Sequence, residues 1–258
     1  MRIGVLADVH GNLPALQSAW RALLLESPDM VVNLGDLVHF GPCPEECVSF
    51  AREHDVESIQ GNCDRAVARG RDSTGDEFVN SHWERLADEV LAWTRQRITR
   101  GASSWLKGLP EEFRLDVEGR RMLFTHGLPG NVAGSLPPAA ADEVYDLLLS
   151  RNGCDVLVVG HTHEPQAVLR PGGWILNPGS VGAGTLPSAA SAMVIDVSRK
   201  AGLSAFWLAT RYDFSSYQES SRVSGLPQMF TRAVELGRDP RGGWHTCDTT
   251  WRQRWAER

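Results

Sequence analysis

The sequence predicts an α/β protein made of two packed mixed sheets with helices outside, a four-layer α-β-β-α sandwich. Three observations carry this expectation. The first half alternates apolar runs with amphipathic stretches, the βαβαβ pattern of a parallel sheet with right-handed crossovers. The second half holds shorter, closely spaced strand-like runs, which argue for an antiparallel contribution. Five short clusters of Asp, His and Asn each end one of the apolar runs, and strand ends are where open α/β sheets place their ligands.

Taken in order, RIGVLAD reads as a buried strand, followed by Leu13, Leu16, Trp20, Leu23 and Leu24 at helical spacing, with Pro14 tolerated in the first turn. MVVNLGD is a second strand. A Gly41-Pro42 loop, a helix over 44–53 and a third strand, VESIQGN, follow. Residues 64–110 interrupt the alternation with a mainly helical insertion. Ser81-His82-Trp83-Glu84 is a capping-box signature, and Trp83, Leu86, Val90, Leu91 and Thr94 form a buried stripe behind it. The insertion falls between two ligand clusters, so it either roofs the site or packs away from it as a helical pair. Strands near 112–117 and 121–126 come next, then a helix over about 140–150 stopped by Asn152-Gly153. The strand VLVVG and short strands near 166–169, 173–176, 191–197 and 203–210 complete the pattern. Residues 1–215 are expected to form one domain, with 216–258 an extension docked on it. That extension ends in a tryptophan-rich tail in which Trp251 and Trp255 lie one helical turn apart.

Composition excludes several classes. A chain of 258 residues that is 42% hydrophobic can bury a substantial core. A net charge of −6 without any basic stretch argues against partners that present a nucleic-acid backbone or an anionic membrane. No run reaches the 18 or so apolar residues of a membrane span. The N-terminus leads straight into a strand, unlike a signal peptide. Five irregularly spaced cysteines point to reduced thiols and a cytoplasmic location. Cys43 and Cys47 are spaced as on a helix, without the paired Cys-x-x-Cys units of a structural zinc site.

The clusters are Asp8-Val9-His10, Gly35-Asp36, Gly61-Asn62-Cys63-Asp64, Thr125-His126-Gly127 and Gly160-His161-Thr162-His163. Four of the eight histidines fall in them, which scatter would not produce. Asp8 and His10, like His161 and His163, are two residues apart and would point the same way at the end of an extended strand. With Asp36, Asn62 and His126 they make seven candidate ligands, too many for one tetrahedral zinc, and divide into two four-ligand sets if Asp36 bridges. Carboxylate, imidazole and carboxamide together suit manganese, iron, zinc or nickel, with manganese expected. Two such ions can clamp the attacking and leaving oxygens of a phosphoryl transfer. Gly35, Gly61, Gly127 and Gly160 would allow sharp exits from strand to loop. Asn177-Pro178-Gly179-Ser180 reads as a turn, either plain or pressed close to the metals or substrate.

The order D-x-H, G-D, G-N-x-D, H, G-H-x-H resembles the calcineurin-like metallophosphoesterase superfamily. The phrases DVHGNLPAL, GDLVHFGP, GNCD, VGHTH and NPGSVG are similar to its compact bacterial phosphodiesterase branch, over roughly residues 1–213. The resemblance implies that Asp8, His10, Asp36 and His163 hold one metal and Asp36, Asn62, His126 and His161 the other, with a bridging water or hydroxide as nucleophile. Many members carry a histidine after the Gly-Asn, paired with the following Asp, that contacts phosphate or protonates the leaving oxygen. Here that position is Cys63, a poor substitute for imidazolium.

Asp64 is then free to pair with Arg65 or to hold a local turn. His39, on the loop after Asp36, either stands in for the missing histidine or is a solvated loop residue. His54, His82 and His245 lack such a context. Asp36, Asn62, Cys63, Asp64 and His39 are thus the candidate catalytic residues. The Asp-Arg-Gly phrase of protein Ser/Thr phosphatases is absent after Asp36. The leading expectation is a phosphodiesterase acting on small-molecule or nucleotide phosphoesters. The alternatives are a phosphomonoesterase or nucleotide pyrophosphatase on the same site, and a non-catalytic scaffold like the retromer subunit that resembles this branch. All seven ligand positions are intact, which speaks against the scaffold.

Overall fold

In the computed structural model, which describes residues 1–184, 186–239 and 241, the N-terminal apolar run forms β1 (Arg2–Leu6). Asn12 then caps α1 (Leu13–Leu25): its side chain accepts from the Ala15 N–H at 3.2 Å, and Pro14 sits where its missing donor costs nothing. Next come β2 (Met30–Asn33), α2 (Pro44–Glu53) and β3 (Glu57–Ser58), and β1, β2 and β3 pair in parallel. The third strand is shorter than expected. Of VESIQGN only Glu57 and Ser58 form a strand, and Gly61 becomes the N-cap of α3 (Asn62–Arg69). Asn62 therefore opens a helix instead of ending a strand.

The insertion continues as α4 (Ser81–Arg95) and α5 (Arg100–Gly108). The cap of α4 lies one residue earlier than the capping-box reading placed it. Asn80 in extended backbone accepts from the N–H groups of His82 and Trp83, and Ser81 is already helical. The second half supplies β4 (Glu112–Val117), β5 (Arg120–Thr125), α6 (Asp142–Asn152), β6 (Val156–Val158), β7 (Gln166–Arg170) and β8 (Gly173–Asn177). It ends with β9 (Ala189–Ser198), β10 (Gly202–Arg211), α7 (Phe214–Ser224) and α8 (Gln228–Glu235). Gly153, with φ of 60°, stops α6 as expected.

The strands form two five-stranded sheets, ordered β10-β9-β1-β2-β3 and β4-β5-β6-β8-β7. Both are mixed. β9 and β10 add antiparallel to the first, while β4 and β7 are the antiparallel edges of a parallel β5-β6-β8 core. Ile3, Val5 and Val32 of the first sheet meet Met122, Phe124, Val156 and Val158 of the second in a dry layer between them. Leu16, Ala19 and Leu23 of α1 and Val48 of α2 cover the outer face of the first sheet, and Tyr145 and Leu149 of α6 that of the second. The result is the expected α-β-β-α sandwich. A further cluster joins Phe40, on the loop after Asp36, to Ala87 and Val90 of α4 and Phe230 of α8. The insertion and the described part of the C-terminal extension thus meet over that loop. The tryptophan-rich tail, with Trp251 and Trp255, lies outside the described residues, as does His245.

Candidate metal centre

The strands stop short of the ligands, and the loops beyond them take an uncommon backbone. Asp8 (φ 55°), His10 (49°), Asp36 (55°), His161 (65°) and His163 (62°) are all left-handed. The spacing of Asp8 with His10, and of His161 with His163, therefore converges for a different reason than an extended strand. Each pair places two left-handed residues around one ordinary one. The conformation is fixed by cross-loop hydrogen bonds: Asp8 N to Gly35 O (3.1 Å), His10 N to Asp36 O (2.9 Å) and His161 N to Asp8 Oδ2 (3.1 Å). Two glycines make room for Asp36. Gly35 has φ of 100°, and a Cβ on Gly61 would lie 2.0 Å from Asp36 Oδ1.

Asp64 locks the same turn. Its carboxylate accepts from the N–H groups of Asp36 (2.8 Å), Leu37 (3.0 Å), Val38 (3.3 Å) and Gly61 (3.1 Å). Burial and the neighbouring Asp36 push its carboxyl up to about 7, against the pull of those donors. Of the two arrangements open to Asp64, the structure shows the local turn. Arg65 reaches Glu111 instead, at 3.4 Å.

The seven candidate ligands come together, each at most 3% exposed. His126 Nδ1 lies 2.9 Å from the Leu34 carbonyl, a pure acceptor, so that nitrogen carries the proton. Nε2 faces Asn62 Oδ1 (2.8 Å) and Asp36 Oδ2 (3.4 Å), two acceptor oxygens that a second proton on the ring or a cation in its place would satisfy. On the other side, His10 Nε2 and His163 Nε2 face each other at 2.9 Å, with Asp8 Oδ1 3.5 Å from His163 Nε2 and Asp36 Oδ2 3.9 Å from His10 Nε2. Asp8 Oδ1 is buried without any hydrogen-bond partner. Acceptor atoms this close need a proton or a cation among them, and the mix of carboxylate, imidazole and carboxamide fits divalent metal ions. The titration of these groups has the same cause. Burial opposes charge on His126, but Asp36 and Asp8 outweigh it and raise its pKa to about 9. Burial and the nearby His163 lower His10 to about 4. His161 stands apart from the tight triplets; its ring meets that of His126 edge-on, with centroids 5.2 Å apart.

Two residues of the expected catalytic set sit close by. Cys63 is fully buried, its N–H donating to Asp36 Oδ1 at 2.9 Å. Burial and the carboxylates of Asp36 and Asp76 push its thiol well above the usual range. His39 is not solvated. It is fully buried with its ring against Phe40, and burial together with His10 lowers its pKa to about 3. The turn Asn177-Pro178-Gly179-Ser180 does press on the site. Asn177 Nδ2 donates to Gly160 O and Thr162 Oγ1, and Ser180 Oγ donates to Asp8 O at 2.7 Å.

Sequence reasoning missed a second layer. Asp76, in the loop between α3 and α4, accepts from Asn62 Nδ2 at 3.1 Å, which turns the Asn62 oxygen towards His126. Asp239 Oδ2 lies 3.8 Å from His163 Nδ1, and Arg241 donates to the His161 carbonyl at 3.0 Å. None of these three sits in a strand-end phrase. An Asp or Arg in a polar loop carries no periodicity that would single it out.

Comparison with known proteins places the chain in a family. The sequence profile of the calcineurin-like phosphoesterase superfamily domain matches residues 1–200. An uncharacterized protein of Methanocaldococcus jannaschii is 27% identical over 181 residues, 69% of each chain. The phosphodiesterase YfcE of Escherichia coli K12 is 27% identical over 191 residues, 70% of this chain and 79% of its own. A metallophosphoesterase from Sphaerobacter thermophilus shares the fold, with a TM-score of 0.70 at 23% identity over 92% of this chain and 99% of the other. A profile match spanning most of the chain, from β1 through β9, leads to one conclusion: this protein belongs to the calcineurin-like phosphoesterase superfamily.

Proposed function

We propose that this protein is a phosphodiesterase that hydrolyses small-molecule or nucleotide phosphoesters at a two-metal centre built around Asp36. The observation that carries the reading is the convergence of buried carboxylate, imidazole and carboxamide atoms on both sides of Asp36 Oδ2, 3.9 Å from His10 Nε2 and 3.4 Å from His126 Nε2. Asp8, His10, Asp36 and His163 would hold one divalent cation, and Asp36, Asn62, His126 and His161 the other. Manganese is the first ion to test; iron, zinc and nickel also match a mixed oxygen and imidazole set. When bound, the pair supplies Lewis-acid activation of water and neutralises charge growing on the phosphoryl oxygens.

The chain's own part is positioning. The Leu34 carbonyl fixes the His126 tautomer, Asp76 fixes the Asn62 amide, and Asp64 fixes the Asp36 turn. Proton donation is where the chain is weak. Cys63 is a buried neutral thiol, and His39 a buried neutral imidazole. Diesters with stable leaving anions are therefore the favoured substrates, and the similarity to a phosphodiesterase supports the same class. We read residues 1–215 as the catalytic domain and 216 onward as an extension docked on it, supported by the packing of Phe230 against Phe40. The free thiols of Cys43, Cys47, Cys63 and Cys154 suit a cytoplasmic setting.

The test is metal-stripped protein reloaded with manganese, nickel, zinc or iron and assayed on a panel of mono- and diesters. Turnover of bis-p-nitrophenyl phosphate should appear only on reloading. Asp36→Asn should lose bound metal towards one ion or none, together with turnover. Two bound metals and near-wild-type rates in Asp36→Asn would refute the bridging role. Preference for monoesters or nucleotide pyrophosphates would shift the substrate class, and negligible turnover with every ion would favour a scaffold.

A further inference from the structure

The candidate centre carries a fixed cation of its own. Arg241 lies beyond α8, yet its guanidinium, 13% exposed, sits against the ligand loops. Nε and Nη2 donate to the two carboxylate oxygens of Asp239 at 2.9 and 2.5 Å, so one edge of the fork is clamped. Nη1, on the other side, donates to the His161 carbonyl at 3.0 Å and stands 3.6 Å from Asp76 Oδ1. Asp76 in turn holds the Asn62 amide, and Asp239 faces His163. The guanidinium therefore touches one candidate ligand, His161, directly and two more, Asn62 and His163, each through one aspartate. The Arg241 carbonyl accepts from the Val79 N–H at 3.3 Å, tying the segment to the insertion.

The carboxylates that draw in cations also repel a phosphate; Arg241 shares its charge with Asp239 and Asp76, and what it adds beside the ligand loops is a directed N–H donor. Asp239 takes the Nε/Nη2 edge and the His161 carbonyl one Nη1 hydrogen, which leaves the second Nη1 N–H to meet a phosphoryl oxygen. Cys63, the residue next to Asn62, is a buried thiol that offers a phosphate no positive charge. We propose that Arg241 binds the substrate phosphate: Asp239 clamps one edge of the guanidinium, and Nη1 presents an N–H to a non-bridging phosphoryl oxygen. This inference rests on the phosphoesterase reading above and names the residue by which the same site would hold its substrate.

The experiment uses the metal-loaded full chain as wild type, Arg241→Gln and Arg241→Lys. Metal content is measured by elemental analysis, inorganic phosphate affinity by calorimetry, and kcat and KM on aryl mono- and diesters. Arg241→Gln should keep its metals, weaken phosphate binding about ten- to a hundredfold, and raise KM more for the dianionic monoester than for the diester. Arg241→Lys should recover part of the loss, since the charge stays and the fork is gone. Full metal content with unchanged phosphate affinity and KM in Arg241→Gln would overturn the proposal, leaving Arg241 a structural tie. Loss of metal in that variant would also overturn it, in favour of a role in seating His161. If Arg241→Gln fails to fold, Arg241→Lys decides: a severalfold weaker phosphate affinity supports the proposal and a wild-type value overturns it. A wild-type protein that holds metals but neither binds phosphate nor turns over any ester would fail the phosphoesterase reading itself.

Discussion

At the residue scale, five of the seven candidate ligands hold a backbone that L-residues avoid, at a cost of roughly 1–3 kcal/mol each. The surrounding hydrogen bonds impose it, and Asp64 spends its whole carboxylate on four N–H groups around Asp36. Cys63 sits in that same packed turn, which sharpens the expectation about proton donation. If a donor is what the site lacks, log rate should fall steeply as leaving-group pKa rises. Cys63→His should flatten that slope by improving alkyl esters while leaving aryl diesters nearly unchanged. The gain should be modest, because an imidazole must enter a fully buried position and overpacking costs about 1–3 kcal/mol. Parallel slopes for the two proteins would show that another group already donates the proton.

At the element scale, the loops are braced by caps and turns that do unequal amounts of structural work. Asn12 caps α1 and also donates to Gly182 O at 3.0 Å and Tyr212 Oη at 3.1 Å, joining the His10 loop to the turn before β9 and to the end of β10. Asn80 caps α4 at an exposed position. Asn12→Ala should therefore cost about 2 kcal/mol or more in a urea titration, and Asn80→Ala about 1 kcal/mol. Equal losses would mean that the links from Asn12 to Gly182 and Tyr212 contribute nothing. Close approach matters at this turn as well: a Cβ on Gly182 would lie 1.8 Å from Val9 O, so only glycine lets the turn lie against the Asp8 loop.

At the scale of the molecule, the two sheets bring loops from both halves of the chain to one end of the sandwich, and the ligands gathered there stay buried. Cations that bind this set in the folded state alone should stabilise the whole fold. At a free concentration one hundred times Kd the gain is about 2.7 kcal/mol. For a chain of this size that corresponds to an increase in Tm of about 5–10 °C, reversed by chelation. Calorimetry with and without manganese measures it. An identical Tm in both conditions would argue that the clustered side chains do not act as ligands.

The local sequence determined the chemistry and the order of layers. Apolar runs ending in Asp8, Asp36, His126 and His161 can be recognised because burial imposes a pattern on neighbouring residues, and ligands need particular side chains. The helix over 140–150 and the strands of the second half were legible for the same reason. The tertiary structure alone decided how the ligands are aimed. Left-handed Asp and His leave no compositional mark as glycine does, because the conformation is imposed by partners far along the chain, such as Gly35 on Asp8 and Asp8 on His161. It also decided that His39 is buried beneath the packing of Phe40 with α4 and α8, and that Asn80 caps the helix where Ser81 had matched the signature. Asp76, Asp239 and Arg241 join the centre because α3, α4 and α8 return their loops to it. That return path depends on packing between elements, which no short window of sequence contains.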